Sequence, residues 1–184
     1  MLTSTKKSKL GKKIAQVFLG LGSNLGDSQV NLKVALTRLR AHAEIKIKKV
    51  SSLYRTKPIG GVVQPYFLNA VALITTTLDI HILHQFCKKL EFQAGRRFRQ
   101  HNGPRELDID LLLCDDIIID KPELKIPHPR LKERGFVLWP LSEIAAELKP
   151  PLIDESITSL AKKTVAQEVE LMASSPVWWN AVDK

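Results

Sequence analysis

The sequence predicts an α+β sandwich in which two helices pack on one face of an antiparallel sheet. Two observations support this class. Apolar segments with strand and helix periodicity follow one another in the order strand, helix, strand, strand, helix, strand. No linker or internal repeat divides the 184 residues, a length that suits one domain with a substantial core.

The first strand is predicted at residues 14–21, a compact apolar run that ends in a glycine-rich turn. This turn lacks the third glycine of a dinucleotide fingerprint, and the chain has no Walker A sequence. Asp27 or Ser28 can cap a helix at residues 28–42. Two interpretations of Asn24 stay open: a ligand contact, and a residue that only shapes the turn.

The middle of the chain supplies two strands and a helix. Residues 44–53 alternate as a strand with one solvated face, and residues 67–77 form the next strand. Between them, residues 54–66 carry two prolines and a Gly-Gly pair, which predicts a long mobile connection, either a functional lid or a variable surface loop. Asp79 can cap the second helix, and Gly95 can end it.

The second half begins with an alternating strand at residues 107–111. Short strands or a hairpin follow at residues 117–119 and 124–126, and then a short helix at residues 140–148. The last 30 residues have a helix-like composition, and the apolar end at residues 177–179 is either docked or frayed. This element order predicts a sandwich of the ferredoxin-like type.

The alternating strand carries the clearest chemical signal. Leu107, Ile109 and Leu111 can enter the core, which leaves Asp108 and Asp110 together on the other face. Two carboxylates ~6–7 Å apart on one strand face make a site for Mg2+, which prefers oxygen ligands. The alternative is a half-buried strand with a solvated face.

Basic residues precede this strand and favour the metal interpretation. The upstream loop contains Arg96, Arg97, Arg99, His101 and Arg105. Residues 106–120 then hold six acids and no base. Cations placed directly before anions suggest a site for a metal ion and phosphate.

A second basic cluster lies in the proline-broken stretch 127–136. His128, Arg130 and Arg134 are either solvated loop charges or part of a phosphate-binding lid. The lid interpretation fits better, because Phe136 and the apolar residues that follow it would anchor one end.

Composition and charge exclude some classes of protein. Five of the nine net positive charges (+9) come from lysines in residues 1–13, so 9 − 5 leaves +4 for the rest. We expect a disordered basic tail there, with contact to nucleic acid the weaker alternative. No stretch approaches the ~20 apolar residues of a membrane span. Cys87 and Cys114 form no metal or redox motif, so we expect both to be core residues in a reducing cytoplasm. A reactive or metal-binding role is the lesser option. We expect the protein to be a monomer.

Several motifs, in one order over residues 14–150, together resemble the 6-hydroxymethyl-7,8-dihydropterin pyrophosphokinase (HPPK) family. Each motif alone is weak, but the set is highly specific. The motifs are Leu-Gly-Ser-Asn-Leu-Gly at 21–26, Ser-Leu-Tyr-Arg-Thr at 52–56, Phe-Leu-Asn-Ala at 67–70, Gly-Pro-Arg at 103–105 with Leu-Asp-Ile-Asp at 107–110, and Ile-Pro-His-Pro at 126–129 with Arg-Gly-Phe-Val-Leu-Trp-Pro-Leu at 134–141.

This resemblance implies transfer of pyrophosphate from the co-substrate ATP to the hydroxymethyl oxygen of a reduced pterin, with release of AMP, in folate biosynthesis. It implies two Mg2+ ions on Asp108 and Asp110, both small-molecule substrates as partners, and a single catalytic domain at residues 14–165. The implied catalytic residues are Arg96, Arg105, Asp108 and Asp110. The implied ATP contacts are Glu91, Arg96, Arg105, Ile109, Leu111, His128 and Arg134. The implied pterin contacts are Thr56, Ile59, Phe67, Asn69 and Phe136.

The chain departs from the family pattern at three places. Asn102 stands where many relatives have Trp, and the arginine loop is one residue shorter than in some relatives. Phe67 replaces a common Tyr, which keeps stacking and loses a hydroxyl. Residues 166–184 form an extension to which the resemblance gives no role.

Two rival functions remain at this point. An RNA-binding module shares the strand and helix order, and residues 134–137 faintly match one of its signature strands. Against it, Pro140 interrupts the run, and a paired Asp face repels phosphate unless a metal is present. The second rival is a pterin-binding protein without catalysis, which the aspartate pair and the arginines argue against.

Overall fold

The computed structural model describes residues 13–58, 63–97, 103–175 and 178–179. No helix within these ranges is long and apolar enough to cross a bilayer. The elements are β1 (Ala15–Ser23), α1 (Ser28–Arg40), β2 (Ile45–Val50), β3 (Leu53–Thr56), β4 (Phe67–Thr76), α2 (Ile80–Gln93), β5 (Asp108–Cys114), β6 (Ile119–Lys121), β7 (Leu124–Ile126), α3 (Gly135–Ala145), α4 (Ile157–Lys162) and β8 (Val169–Ala173). A 3-10 turn at Leu131–Glu133 precedes α3. Of the predicted tail and lid, residues 1–12 and 59–62 lie outside the described ranges.

One antiparallel sheet carries the fold. Its strand order is β5-β1-β4-β3-β8, and β2 pairs with β4 in line with β3. Strands β2 and β3 are interrupted at Ser51, whose amide donates to the Val71 carbonyl and whose Oγ accepts from the Val71 amide. Strands β6 and β7 form a separate hairpin, which is one of the two predicted alternatives. The predicted α+β class with an antiparallel sheet is confirmed.

The sheet is covered on both faces. As predicted, α1 and α2 share one face, where Leu36 and Leu83 pack on strand residues such as Leu19. Helices α3 and α4 pack on the opposite face, around Phe18 and Leu138. The sequence did not predict this second layer of helices. The layer leaves part of this second face of the sheet uncovered, over strands β1, β4 and β5.

Three local predictions are wrong. Residues 54–56 belong to a strand rather than the loop, because β3 pairs with β4 on one side and β8 on the other. Helix α3 begins at Gly135 and includes Pro140, which sits in the second turn. The segment 169–173 is a strand and not helix-like, since pairing with β3 overrides local preference.

Trp178 is docked, which decides between the two interpretations of the apolar end. Its side chain is 1% exposed within the larger core. The indole Nε1 donates a 2.9 Å hydrogen bond to the Ser51 carbonyl, at the interruption between β2 and β3. The Ser175 amide also donates to Ser52 Oγ at 3.1 Å. The segment after β8 is therefore anchored at this interruption.

We predict that Trp178→Ala lowers the free energy of unfolding by about 3–5 kcal/mol, because it leaves a cavity and an unpaired carbonyl. Urea unfolding followed by circular dichroism measures the change. Val165→Ala is the control: its side chain is 75% exposed, so we expect a change within about 0.5 kcal/mol. Equal effects of the two substitutions would contradict the docked position of Trp178.

Candidate active site

A pocket occupies the uncovered part of the second face, and β1 forms its floor. Gly20 lies opposite Asp110 and Gly22 lies opposite Asp108 in the pairing of β1 with β5. A Cβ atom on Gly22 would lie 2.9 Å from Asn69 Oδ1 on the other neighbouring strand. The floor therefore stays open because glycine leaves room between these side chains.

The alternation of β5 places both aspartates in the pocket. Leu107, Ile109 and Leu111 are buried in the core at 2%, 0% and 4% exposure. Asp108 and Asp110 line the pocket on the other face. The predicted division of this strand into an apolar face and an acidic face is confirmed.

Each aspartate is paired with arginine. Arg105 Nη1 donates to Asp108 Oδ2 at 2.6 Å, and Arg96 Nη1 lies 2.6 Å from Asp108 Oδ1. Arg134 Nη1 donates to Asp110 Oδ2 at 2.8 Å. The basic segments before and after β5 thus converge on one acidic strand, as the charge pattern suggests.

The surroundings of Asp110 keep it ionised. Burial alone would raise the pKa of Asp110, but the charge of its partner Arg134 opposes this and holds the pKa below its ordinary value. Burial lowers the pKa of His128, which favours a neutral ring at physiological pH. Its Nδ1 accepts from the Arg130 amide at 3.1 Å, and its Nε2 lies 3.8 Å from Asp110 Oδ2.

Glu91 lies behind the pocket rather than in its lining. This carboxylate is 3% exposed, and its Oε1 accepts from the Ile109 amide at 2.7 Å and from Lys88 Nζ at 2.8 Å. Its Oε2 forms an ion pair with Arg96. Burial raises the pKa of Glu91. Because the side chains of Ile109 and Leu111 point into the core, any ligand contact at these residues would use their backbone.

The other side of the pocket is aromatic and has a polar edge. Phe67 and Phe136 are half-buried in the lining, each near a guanidinium: Arg105 is 6.0 Å from the Phe67 ring and Arg134 is 5.4 Å from the Phe136 ring. Buried Asn69 donates through Nδ2 to Thr56 Oγ1 at 2.7 Å. This arrangement suits a flat, polar-edged ring.

Asn24 links two loops at the rim. Its Oδ1 accepts from the Arg105 amide at 2.8 Å, and its Nδ2 donates to Gln64 Oε1 and to the Pro65 carbonyl, both at 3.0 Å. The Asn24 amide also donates to the Arg105 carbonyl at 3.0 Å. Asn24 therefore positions the loop that carries Arg105.

Several side chains of this pocket were not predicted from the sequence, and some residues that were predicted or discussed lie outside the described ranges. Lys57 and Gln64 line the pocket, as does Arg130, which was seen only as part of its cluster. Lys88 forms an ion pair with Glu91. The sequence could have indicated this pair, because residues three apart on a helix lie side by side. Four residues discussed above lie outside the described ranges: Ile59, Arg99, His101 and Asn102.

The acidic pair fits magnesium better than a metal with an all-protein ligand shell. Among the described residues, no group of three or more His, Cys, Asp or Glu side chains could hold an ion. Two carboxylates facing an open, arginine-lined pocket leave the remaining ligand positions to water and phosphate oxygens, as Mg2+ prefers.

The chain is similar in sequence to proteins of one family. The sequence profile of the family 7,8-dihydro-6-hydroxymethylpterin-pyrophosphokinase (HPPK) matches residues 18–146. A 2-amino-4-hydroxy-6-hydroxymethyldihydropteridine pyrophosphokinase of Bacillus subtilis is 39% identical over 132 residues, which cover 72% of this chain and 79% of that protein. The enzyme of the same name from Aquifex aeolicus is 41% identical over 139 residues, covering 76% and 86%.

A solved structure is similar in fold. Wild-type HPPK-DHPS of Plasmodium falciparum superimposes with a TM-score of 0.66 at 19% identity. The match covers 86% of this chain and 42% of that longer one. The family profile covers most of the chain, and all the motifs that resemble the family lie wholly or largely within it. The chain belongs to the HPPK family.

Proposed function

We propose that this protein transfers pyrophosphate from MgATP to the hydroxyl group of 6-hydroxymethyl-7,8-dihydropterin, releasing AMP, in folate biosynthesis. The observation that carries the proposal is a single pocket with two different sides. On one side Asp108 and Asp110 are paired with arginines, and on the other Phe67 and Phe136 form an aromatic slot with the Asn69 amide at its edge. The names of the bacterial relatives support the same reaction.

The pterin occupies the aromatic side. Phe67 and Phe136 stack on its ring system, while the Asn69 amide and the Thr56 hydroxyl bind its polar edge. Both polar groups are buried and already joined by a hydrogen bond, so little side-chain freedom is lost on binding. This places the hydroxymethyl group toward Asp108 and Asp110.

The triphosphate lies on the charged side. Arg96, Arg105 and Arg134 bind its oxygens, together with His128. Asp108 and Asp110 would hold two Mg2+ ions, which would supply charge neutralisation and alignment for in-line attack. The arginines that pair with these carboxylates lie where they can also donate to phosphate oxygens. One of the two aspartates accepts the proton of the attacking hydroxyl.

The rival functions fit less well. Residues 134–137 enter helix α3 and do not form the strand that an RNA recognition motif requires. A binding protein without catalysis has no need for three arginines aimed at two aspartates. We further propose a cytoplasmic location, since Cys87 and Cys114 are buried free thiols, as in proteins of reducing compartments.

The reaction is tested by mixing the protein with ATP, Mg2+ and 6-hydroxymethyl-7,8-dihydropterin and separating the nucleotides. We expect AMP to form only with the pterin present. Chelation by EDTA should stop the reaction, and excess Mg2+ should restore it. ADP as the product, or AMP formed at the same rate without pterin, would refute the proposal.

We predict that Asp110→Ala lowers kcat by about 10³-fold or more, because it removes a metal ligand beside the transferred group. Its fold should persist, as Asp110 faces the pocket. The matched control is Asp116→Ala, an exposed acid just after the same strand, which should retain the parent rate. A near-normal rate in Asp110→Ala would place the metal elsewhere.

A further inference from the structure

Helix α3 lacks a cap of its own at its N-terminus. Arg134 occupies the N-cap position, but its side chain makes no capping hydrogen bond, because a guanidinium can only donate; it is paired with Asp110 instead. The first amides of a helix have no partner within the helix and need one from elsewhere. Phe136, in the aromatic slot, belongs to this first turn.

Gln167 supplies the missing cap from a distant segment. Its Oε1 accepts from the Gly135 amide at 2.8 Å, and its Nε2 donates to the Glu133 carbonyl at 2.7 Å. One side chain thus binds the backbone on both sides of Arg134. Both ends of the amide are used, so glutamine is suited to the position in a way that an acid or an apolar residue is not.

The contact is closely fitted. The backbone N–H of Gln167 donates to the Thr164 carbonyl at 2.9 Å, and this turn directs the chain after α4 toward α3. A Cβ atom on Gly135 would lie 2.8 Å from Gln167 Oε1 and 2.9 Å from Thr164 Oγ1. Any residue larger than glycine at 135 would therefore push the cap away.

The same segment also supports the opposite side of the slot. Directly after Gln167, the Glu168 carbonyl accepts from the Lys57 amide at 3.4 Å, and Val169 pairs with Thr56. A second cavity lies beside the slot, between Phe136 and this segment. Phe136 would have space to turn away if its backbone were released. Residues 164–169 lie beyond the span matched by the family profile.

We propose that Gln167 is a positioning residue for the pterin: it fixes the Glu133–Phe136 backbone and thereby holds the Phe136 ring in the slot. This inference rests on the proposed function. Most of the charged side of the pocket is held by other residues, since Asn24 positions Arg105 and Glu91 holds β5 and Arg96. Of the proposed triphosphate ligands, only Arg134 lies in the segment that Gln167 fixes. Gln167 therefore acts on the pterin more than on MgATP.

Steady-state kinetics of Gln167→Leu test the proposal. The substitution keeps most of the volume and removes both hydrogen bonds, so we expect the KM for pterin to rise roughly tenfold. The KM for MgATP should change less than about threefold, because Arg134 is the one proposed triphosphate ligand in this segment and the others are positioned elsewhere. Gln167→Glu retains the acceptor for the Gly135 amide and loses the donor to Glu133, so its KM for pterin should be intermediate.

Glu170→Gln is the matched control. It alters the same segment by breaking an exposed ion pair with Arg55, and both KM values should stay at the parent level. An unchanged KM for pterin in Gln167→Leu, or an equal rise in Glu170→Gln, would overturn the positioning role.

Amide hydrogen exchange at Gly135 separates this inference from the proposed function. We expect Gln167→Leu to speed exchange at Gly135, whose hydrogen bond it removes, and Glu170→Gln to leave that exchange unchanged. If the parent protein makes no AMP, the proposed function fails, and exchange alone decides. Faster exchange then supports the backbone contact of Gln167, and unchanged exchange refutes it.

Discussion

The hydrogen bond from the Ile109 amide to the buried Glu91 carboxylate is the constraint on which the pocket depends. Strand β5 is at an edge of the sheet, where backbone amides have no strand partner on the outer side. Glu91 satisfies the one amide that lies between Asp108 and Asp110. Because the same carboxylate binds Arg96 and Lys88, one side chain fixes both the acidic strand and part of its basic surroundings.

This arrangement compensates the cost of burying carboxylates. An isolated ion is expensive to bury, and the raised pKa of Glu91 reflects that expense. Each of three carboxylates at this site has a cationic partner within ion-pair distance, so none of these negative charges is left unpaired. The three carboxylates are those of Glu91, Asp108 and Asp110, and their partners are Lys88, Arg96, Arg105 and Arg134.

The predictable features follow from short-range periodicity. The side-chain period of two in a strand was enough to separate Asp108 and Asp110 from Ile109, and Asp27 and Asp79 cap α1 and α2 as expected. Family resemblance then supplied roles that spacing alone does not give. The direct ATP contact implied for Glu91 stays a prediction, since the carboxylate lies behind the pocket lining.

The features that escaped prediction depend on distant partners. The local sequence of residues 54–56 is typical of a loop. These residues form strand β3 because β4 pairs with one of its edges and β8 with the other. Gln167 caps a helix that begins 32 residues earlier, and no local pattern reports such a contact. Pro140 argued for a later start of α3, and the helical pattern does not tell which face of the sheet α3 and α4 cover.

The pairing of β8 with β3 has a consequence for folding. Arg55 and Glu170, which meet across this pair, are 115 residues apart in the chain. Such a contact forms late, because closing a long loop costs entropy before the pairing returns stability. Until then β3 presents an open edge that other chains can join. Between synthesis of β3 and arrival of β8, this edge is therefore open to pairing with other chains.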